Sequence, residues 1–336
     1  MIDADRTKTQ GLSRREVLTL GVGAFVVATM PLAARARRVL VRRTLPVMGT
    51  VAEFAVVHRD SAQAHAAIDG AMAELRRVDR VMSRFSETSE VGCANRLGAV
   101  RPVAVSIATA SVIREALGWA AATAGAFDPC MGRATRIWDV GHRRVPPPQA
   151  LVQPLAGRGL YRALDLTTWR GEPAVSFADA DVEIDLGGIA KGYGVDRAAE
   201  ALRRHGVRQA IVNVGGDLYA LGEARDGEPW RIGIRDPENP AGLAGEITVR
   251  DAAVATSGDY LQYFQHGGRR YHHLLDPASG APRLTAVHSL TIRADTCLVA
   301  DAAATALYGM PRAEAERVLL ARAPDARLVR EISDRG

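Results

Sequence analysis

Apolar and polar positions follow two rhythms along this chain. Between Val51 and Val57 (VAEFAVV) they alternate closely enough to predict a strand. From Ala62 to Arg80 the apolar residues Ala67, Met72, Leu75 and Val78 recur at helical spacing, and charged residues fill the opposite face. That pattern predicts an amphipathic helix. Further helices are expected over 107–124, ended by Gly125, over 191–205, ended by Gly206, and over 298–308, stopped by Gly309 and Pro311. Short apolar runs predict strands over 181–186, 209–214, 230–235, 245–249 and 289–293. Consecutive prolines within 143–149 make a stiff surface connection. No internal repeat interrupts this order.

Strands and helices do not alternate as a regular βαβ series, and several strand pairs are joined by short turns. The expected fold class is therefore α+β, with mixed, largely antiparallel sheets and packed helices, rather than a doubly wound nucleotide fold. Neither a GxGxxG nor a Walker pattern is present, so any nucleotide must be held another way.

Composition narrows the class. Of 336 residues, 47% are apolar and 24% charged, which is globular rather than disordered. The formal charge is +5. Without the first 36 residues, 38 basic and 35 acidic side chains remain. So balanced a domain gives no argument for nucleic-acid binding. Cys93, Cys130 and Cys297 are widely spaced, without metal-type spacing, and are expected as isolated thiols.

The N-terminus changes the picture of location. Arg14-Arg15 precedes a weakly apolar, Gly-containing stretch that ends at Ala34-Arg35-Ala36, a small-x-small cleavage pattern. Residues 1–36 thus read as a twin-arginine-type signal, and 37–336 as the functional domain. The apolar run is short for a membrane span. The expected destination is the periplasm or cell envelope, with peripheral membrane association as a further expectation.

Chemistry concentrates in five segments. In Asp185-Leu-Gly-Gly-Ile-Ala-Lys191-Gly192-Tyr193 a carboxylate is followed by a glycine pair, a lysine and a helix start near Ala190. Glycines admit close backbone approach, and free N–H groups at a helix start suit a phosphate. Asp301 and Thr305, four apart on one helix face, offer hard oxygen ligands of the kind Mg²⁺ takes. Thr256-Ser257-Gly258-Asp259 suggests a tight ligand-facing turn, and His273 with Asp276 a proton acceptor and its orienting partner. Phe127-Asp128-Pro129-Cys130 and Asn213-Val-Gly-Gly-Asp217 read as turns. Each segment also has a plain structural reading, as a strand–turn–helix corner, a helix cap or a surface hairpin.

Together and in this order, from Met48-Gly49-Thr50 to Thr305, these segments resemble the ApbE family of FAD:protein FMN transferases. The strongest matches are DLGGIAKGY (185–193), NVGGD (213–217), ATSGDY (255–260) and YHHLLDPASG (271–280). The resemblance implies an Mg²⁺-dependent enzyme that transfers FMN from FAD to a Thr or Ser hydroxyl of an acceptor protein through a phosphoester, releasing AMP. It implies an acceptor flavoprotein among membrane or extracytoplasmic redox proteins. It places metal ligands on Asp301, Thr305 and the carbonyl of Gly188, a position where the family often has Ala. It places flavin contacts on Met48, Phe85, Ala126, Phe127, Asp128, Asp185 and Lys191, and activation of the acceptor hydroxyl on His273 and Asp276. Phe85 stands where many members carry Tyr, and Cys130 where they carry Thr, which raises the expectation of an oxidation-sensitive pocket. Hydrolysis of FAD to FMN and AMP is the nearest alternative. A non-catalytic exported FAD carrier is a second, and an interaction protein without ligand a third.

Overall fold

A computed structural model of the chain describes residues 25–27, 38–224, 227–239 and 242–334. Its centre is a seven-stranded sheet of β1 (Val39–Val47), β2 (Thr50–His58), β3 (Ala210–Val214), β4 (Asp217–Leu221), β5 (Ala252–Gly258), β6 (Val287–Ala294) and β7 (Arg327–Ser333). Every neighbouring pair is antiparallel, and the spatial order follows the chain order from β1 to β7. The helices α1 (Ser61–Met82), α2 (Glu90–Leu97), α3 (Ile107–Ala122), α4 (Gly132–Trp138), α5 (Ala190–Arg204), α6 (Cys297–Leu307) and α7 (Arg312–Arg322) lie in the connections between strands. This is the expected mixed α+β architecture.

Both faces of the sheet are covered. Ala52, Phe54 and Val56 of β2 point into the core formed with α1, α5 and α6, whereas Ala55 and Val57 point into a second core. That second core lies beneath a smaller sheet, Trp230–Arg235 paired with Leu243–Val249. β3 is consequently buried along its whole length. Burying a Val or Ile fully in such a layer stabilises by about 1.5–3 kcal/mol. Phe25–Val27 adds a third strand beside Trp230–Arg235; the rest of the predicted signal sequence lies outside the described residues. Among the described residues no helix is long and apolar enough to cross a membrane.

Two tight turns define the functional end of the sheet. Met48 and Gly49 join β1 to β2 with φ of +52° and +70°, and Gly215 and Gly216 join β3 to β4 with +60° and +101°. Positive φ at both central residues matches the twist of a two-residue hairpin. The turns are neighbours: Gly215 N–H donates to Val51 O at 3.2 Å. Asp217 opens β4 at this end and faces Ala255, so Thr256 to Gly258 extend past it.

Two sequence expectations fail here. Residues 181–186 form no sheet strand; Glu183 makes only an isolated parallel bridge to Met131. Their backbone is held by the loop at Pro129 and Cys130 and by the Asn95 amide, which bonds both N–H and C=O of Ile184. Conversely, Ala255 to Gly258 is not a turn but the buried end of β5. Its small residues fit a strand covered on both faces, and the Thr256 hydroxyl is satisfied by Thr291 at 2.8 Å.

The last strand is fastened by His288, which sits 2.9 Å from Asp259 and 2.8 Å from Asp334. Burial lowers its pKa, but hydrogen bonds to the two carboxylates outweigh this and raise it overall. The contribution to stability is full below the unfolded histidine value of about 6.5 and is lost as pH rises through the elevated folded value. Asp334→Asn is therefore expected to lower the melting temperature slightly at pH 5.5 and hardly at all at pH 9, since the pair is partly screened by water. An equal shift at both pH values in a melting series would contradict this.

Candidate active site

α5 and α6 cross against this sheet end, and glycine sets how closely. A Cβ on Gly192 would stand 2.2 Å from the Cys297 carbonyl oxygen and 2.8 Å from Asp301 Cβ. The crossing is fixed again one turn on, where Asp196 of α5 accepts the N–H groups of Cys297 and Leu298 at 2.8 and 2.9 Å. Burial pushes the Asp196 carboxyl up to about 6 against those two bonds. Gly192→Ala is expected to destabilise by about 3 kcal/mol or more, because backbone rather than a flexible side chain must yield. A denaturant midpoint unchanged in that variant would refute the tight crossing.

The close approach assembles a charged triad. Lys191 Nζ lies 2.8 Å from Asp217 Oδ2 and 3.4 Å from Asp301 Oδ1, and donates to Gly187 O at 3.3 Å. Gly192 N–H donates to Asp301 Oδ2 at 2.9 Å. Both aspartates are buried. Burial would lower the lysine pKa, but the two carboxylates raise it above its ordinary value, so it stays charged. Burial pushes the Asp217 carboxyl up to about 7, with Asp301 adding and Lys191 opposing. Although Lys191 is within ion-pair distance, Asp217 Oδ2 has no hydrogen bond of good geometry. With both carboxylates ionised the triad carries one surplus negative charge.

Thr305, one turn beyond Asp301, places Oγ1 3.2 Å from Ser257 Oγ. It also fills the space above Gly188, where a Cβ would meet Thr305 Cγ2 at 2.8 Å. An alanine at Gly188 would therefore require Thr305 to shift in this chain. Thr305 thus lies against Gly188 and one turn from Asp301 on the same helix. The donor set is one carboxylate, hydroxyls and backbone carbonyls, and among the described residues no group of three His, Cys, Asp or Glu could hold a metal ion. A donor set made of oxygen alone, with the Asp301 carboxylate at its centre, suits a hard cation such as Mg²⁺ better than a soft transition metal.

The glycine corner lies beside the triad. Asp185 Oδ1 accepts Gly187 N–H at 2.9 Å, and its Oδ2 forms an ion pair with Arg84, 3.1 Å from Nε. The start of α5 is largely bonded already: Ile189 supplies no side-chain cap, but Ala190 N–H donates to Leu186 O at 2.8 Å and Gly192 N–H to Asp301 Oδ2, so the Asp301 carboxylate serves as the cap. Met48 Sδ packs 3.3 Å from the Cβ position of Gly194, further along the same helix. Phe85 is largely exposed beside Arg84.

Ala126, Phe127 and Asp128 form a loop lip after α3. Asp128 accepts Cys130 N–H at 2.9 Å and Tyr161 N–H at 3.2 Å, so its carboxylate holds the loop. Burial pushes that carboxyl up to about 6. Arg283 ties this lip to the histidine strand, donating to Ala126 O at 2.6 Å and, through its backbone N–H, to Leu274 O at 2.9 Å. Cys130 is fully buried and burial raises its thiol well above the ordinary range. It is no oxidation-prone thiolate, contrary to the expectation from its position.

The two neighbouring histidines have different duties. His272 is a satisfied core residue, with Nδ1 accepting from Leu274 N–H and Nε2 donating to Arg283 O. His273 Nδ1 faces Gln262 O at 3.3 Å, so this nitrogen carries the proton and Nε2 keeps its lone pair. Burial pushes His273 down to about 4, with His272 and Lys191 adding, so it is neutral at pH 7. The expected His273–Asp276 couple does not form. Asp276 Oδ1 accepts Ala278 N–H at 3.1 Å and closes its own turn; a backbone carbonyl orients the imidazole instead.

Sequence reasoning missed three participants. Asp217 was visible in NVGGD but read as part of a turn. Ser257 falls in the segment expected as a ligand-facing turn, without a named role, and Arg84 carries no signal beside the more conspicuous Phe85.

The family model described as the ApbE family matches residues 48–328. The FAD:protein FMN transferase of Treponema pallidum is 35% identical over 280 residues, covering 78% of this chain and 76% of that protein. The FAD:protein FMN transferase of Vibrio cholerae is 34% identical, covering 81% and 84%. Among solved structures, the flavin transferase ApbE from Vibrio cholerae superposes with a TM-score of 0.74 at 29% identity, covering 88% of this chain and 97% of that one. The ApbE protein of Thermotoga maritima gives 0.73 at 31%, covering 84% and 90%.

Proposed function

The chain belongs to the ApbE family, and from that premise we propose that it transfers FMN from FAD to a Ser or Thr hydroxyl of an acceptor protein, with Mg²⁺ bound at Asp301, Thr305 and the Gly188 carbonyl. The observation that carries the site reading is the buried Lys191–Asp217–Asp301 triad packed at the start of α5 beside the glycine corner. When bound, Mg²⁺ supplies charge neutralisation at the FAD pyrophosphate.

The chain's own residues do the rest. Lys191 and the glycine corner at Gly187 and Gly188 hold phosphate oxygens. Phe85, Met48 and the Ala126–Asp128 lip border the flavin. His273 Nε2, unprotonated at neutral pH, takes the proton from the acceptor hydroxyl as its oxygen attacks the phosphorus beside the ribityl chain. The bond from that phosphorus to the bridging oxygen breaks, AMP leaves, and FMN remains on the acceptor as a phosphoester. Export through the N-terminal signal, and an acceptor among envelope redox proteins, belong to the same proposal.

Incubating the purified domain from Arg37 with FAD, Mg²⁺ and a co-expressed candidate acceptor tests it. The expected result is equimolar AMP and acceptor-bound FMN, with none formed in EDTA. AMP with only free FMN would establish hydrolysis instead. Intact FAD under every condition would leave a carrier.

A further inference from the structure

Phe85 leaves 83% of its surface to solvent, yet the loop that carries it is tightly built. Ser89 Oγ donates to Ser86 O at 2.9 Å and accepts Gly92 N–H at 2.8 Å, and a Cβ at Gly92 would lie 1.9 Å from Ser86 O. A bare aromatic ring is therefore held out by a rigid segment. Its inner side is not bare: the Arg84 guanidinium carbon stands 4.2 Å from the ring centroid. Arg84 is itself nearly buried, 3.1 Å from Asp185 Oδ2 and 3.9 Å from Glu183. Asp185 in turn holds Gly187 N–H at the glycine corner.

We infer that Arg84 is the positioning residue for the flavin ring. It backs Phe85 so that the outer face of the ring is presented for stacking, and through Asp185 it fixes that face relative to the glycine corner. The guanidinium suits this because it is planar, stacks on aromatic faces and donates laterally to a carboxylate at the same time. Lysine could supply the charge but not the plane. The inference rests on the proposed reading of Phe85 as a flavin contact.

The test is FAD affinity without turnover, measured by flavin fluorescence in EDTA for the full domain and for Phe85→Ala, Arg84→Gln, Arg84→Lys and the Phe85→Ala/Arg84→Gln double variant. AMP affinity and melting temperature are followed alongside. Phe85→Ala and Arg84→Gln are each expected to weaken FAD binding about 5–30-fold, the range of a partly desolvated cation–π contact. AMP binding should be unchanged, and Arg84→Lys should recover only part of the loss. Because both residues serve one platform, the double variant should lose less than the product of the single effects. In turnover, KM for FAD should rise while kcat stays within about twofold, an effect of ground-state binding.

Unchanged FAD affinity in Arg84→Gln, with weakened affinity in Phe85→Ala, would overturn the inference and leave the flavin contact standing. A full product of effects in the double variant, or full recovery by lysine, would overturn it as well. Unchanged affinity in Phe85→Ala would sink the flavin-contact reading and the inference with it. A loss of AMP binding or of thermal stability equal to the loss of FAD binding would show a merely structural role.

Discussion

Asp301→Ala is expected to slow AMP release from FAD by about 10²–10³-fold, the usual cost of removing one group that stabilises developing charge. The reason lies in what this carboxylate joins. It accepts Gly192 N–H, it lies within 3.4 Å of Lys191 Nζ, and it shares a helix face with Thr305. Without it one of the two carboxylates facing Lys191 is gone, and the helix face of Thr305 presents a cation with no carboxylate. Stability should fall too. Lys191 keeps Asp217, but the buried Gly192 N–H loses its acceptor, which costs about 1–3 kcal/mol. For a chain of this size that is a drop of roughly 2–10 °C in melting temperature. Chromatographic AMP assays and Mn²⁺ titration followed by electron spin resonance would read both effects. Wild-type turnover with wild-type Mn²⁺ affinity in the variant would remove Asp301 from the site.

His273→Ala should reduce transfer to the acceptor by about 10²–10⁴-fold while leaving FAD affinity nearly unchanged, because the imidazole acts on the attacking hydroxyl. The pH profile distinguishes this from a packing defect. Burial sets the His273 pKa to about 4, so the base form dominates above that value. The histidine-dependent limb of kcat/KM should therefore be flat from pH 6 to 8 and fall below about pH 4–5. Stability follows the same sign: a depressed histidine contributes fully above its unfolded value of about 6.5, and the contribution is lost as pH falls through the folded value. A rate limb near pH 6.5 in the wild type, or an unaltered acid limb in the variant, would contradict the assignment.

The legible parts of this molecule were those in which one local pattern determines the outcome. α1 was readable because Ala67, Met72, Leu75 and Val78 all face one core. The glycine corner at Asp185–Lys191 is readable because chemistry and conformation coincide in seven consecutive residues. β5 was misread because Ala, Thr, Ser and Gly have weak strand preferences, and only burial on both faces makes them a strand. Residues 181–186 look like a strand but spend their backbone bonds on Asn95 and the Pro129–Cys130 loop, which no local signal reveals. Asp217 became visible as a partner of Lys191 only once β4 and α5 were brought together.

The sheet's orderly succession of strands conceals one long delay in time. β1 and β2 can pair as soon as they emerge, but the next register, Glu53 opposite Asn213, joins residues 160 apart. Closing a flexible loop of that length costs roughly 4–5 kcal/mol of chain entropy before any contact offsets it. Pairings this distant slow folding. The early hairpin must keep one edge of β2 unsatisfied while α1 to α5 are made, and β3 is the strand that closes it. A chain arrested before β3 emerges would therefore hold β1 and β2 as an open-edged hairpin, with Asp217 and Asp301 still missing. That intermediate would be vulnerable to strand addition by another chain.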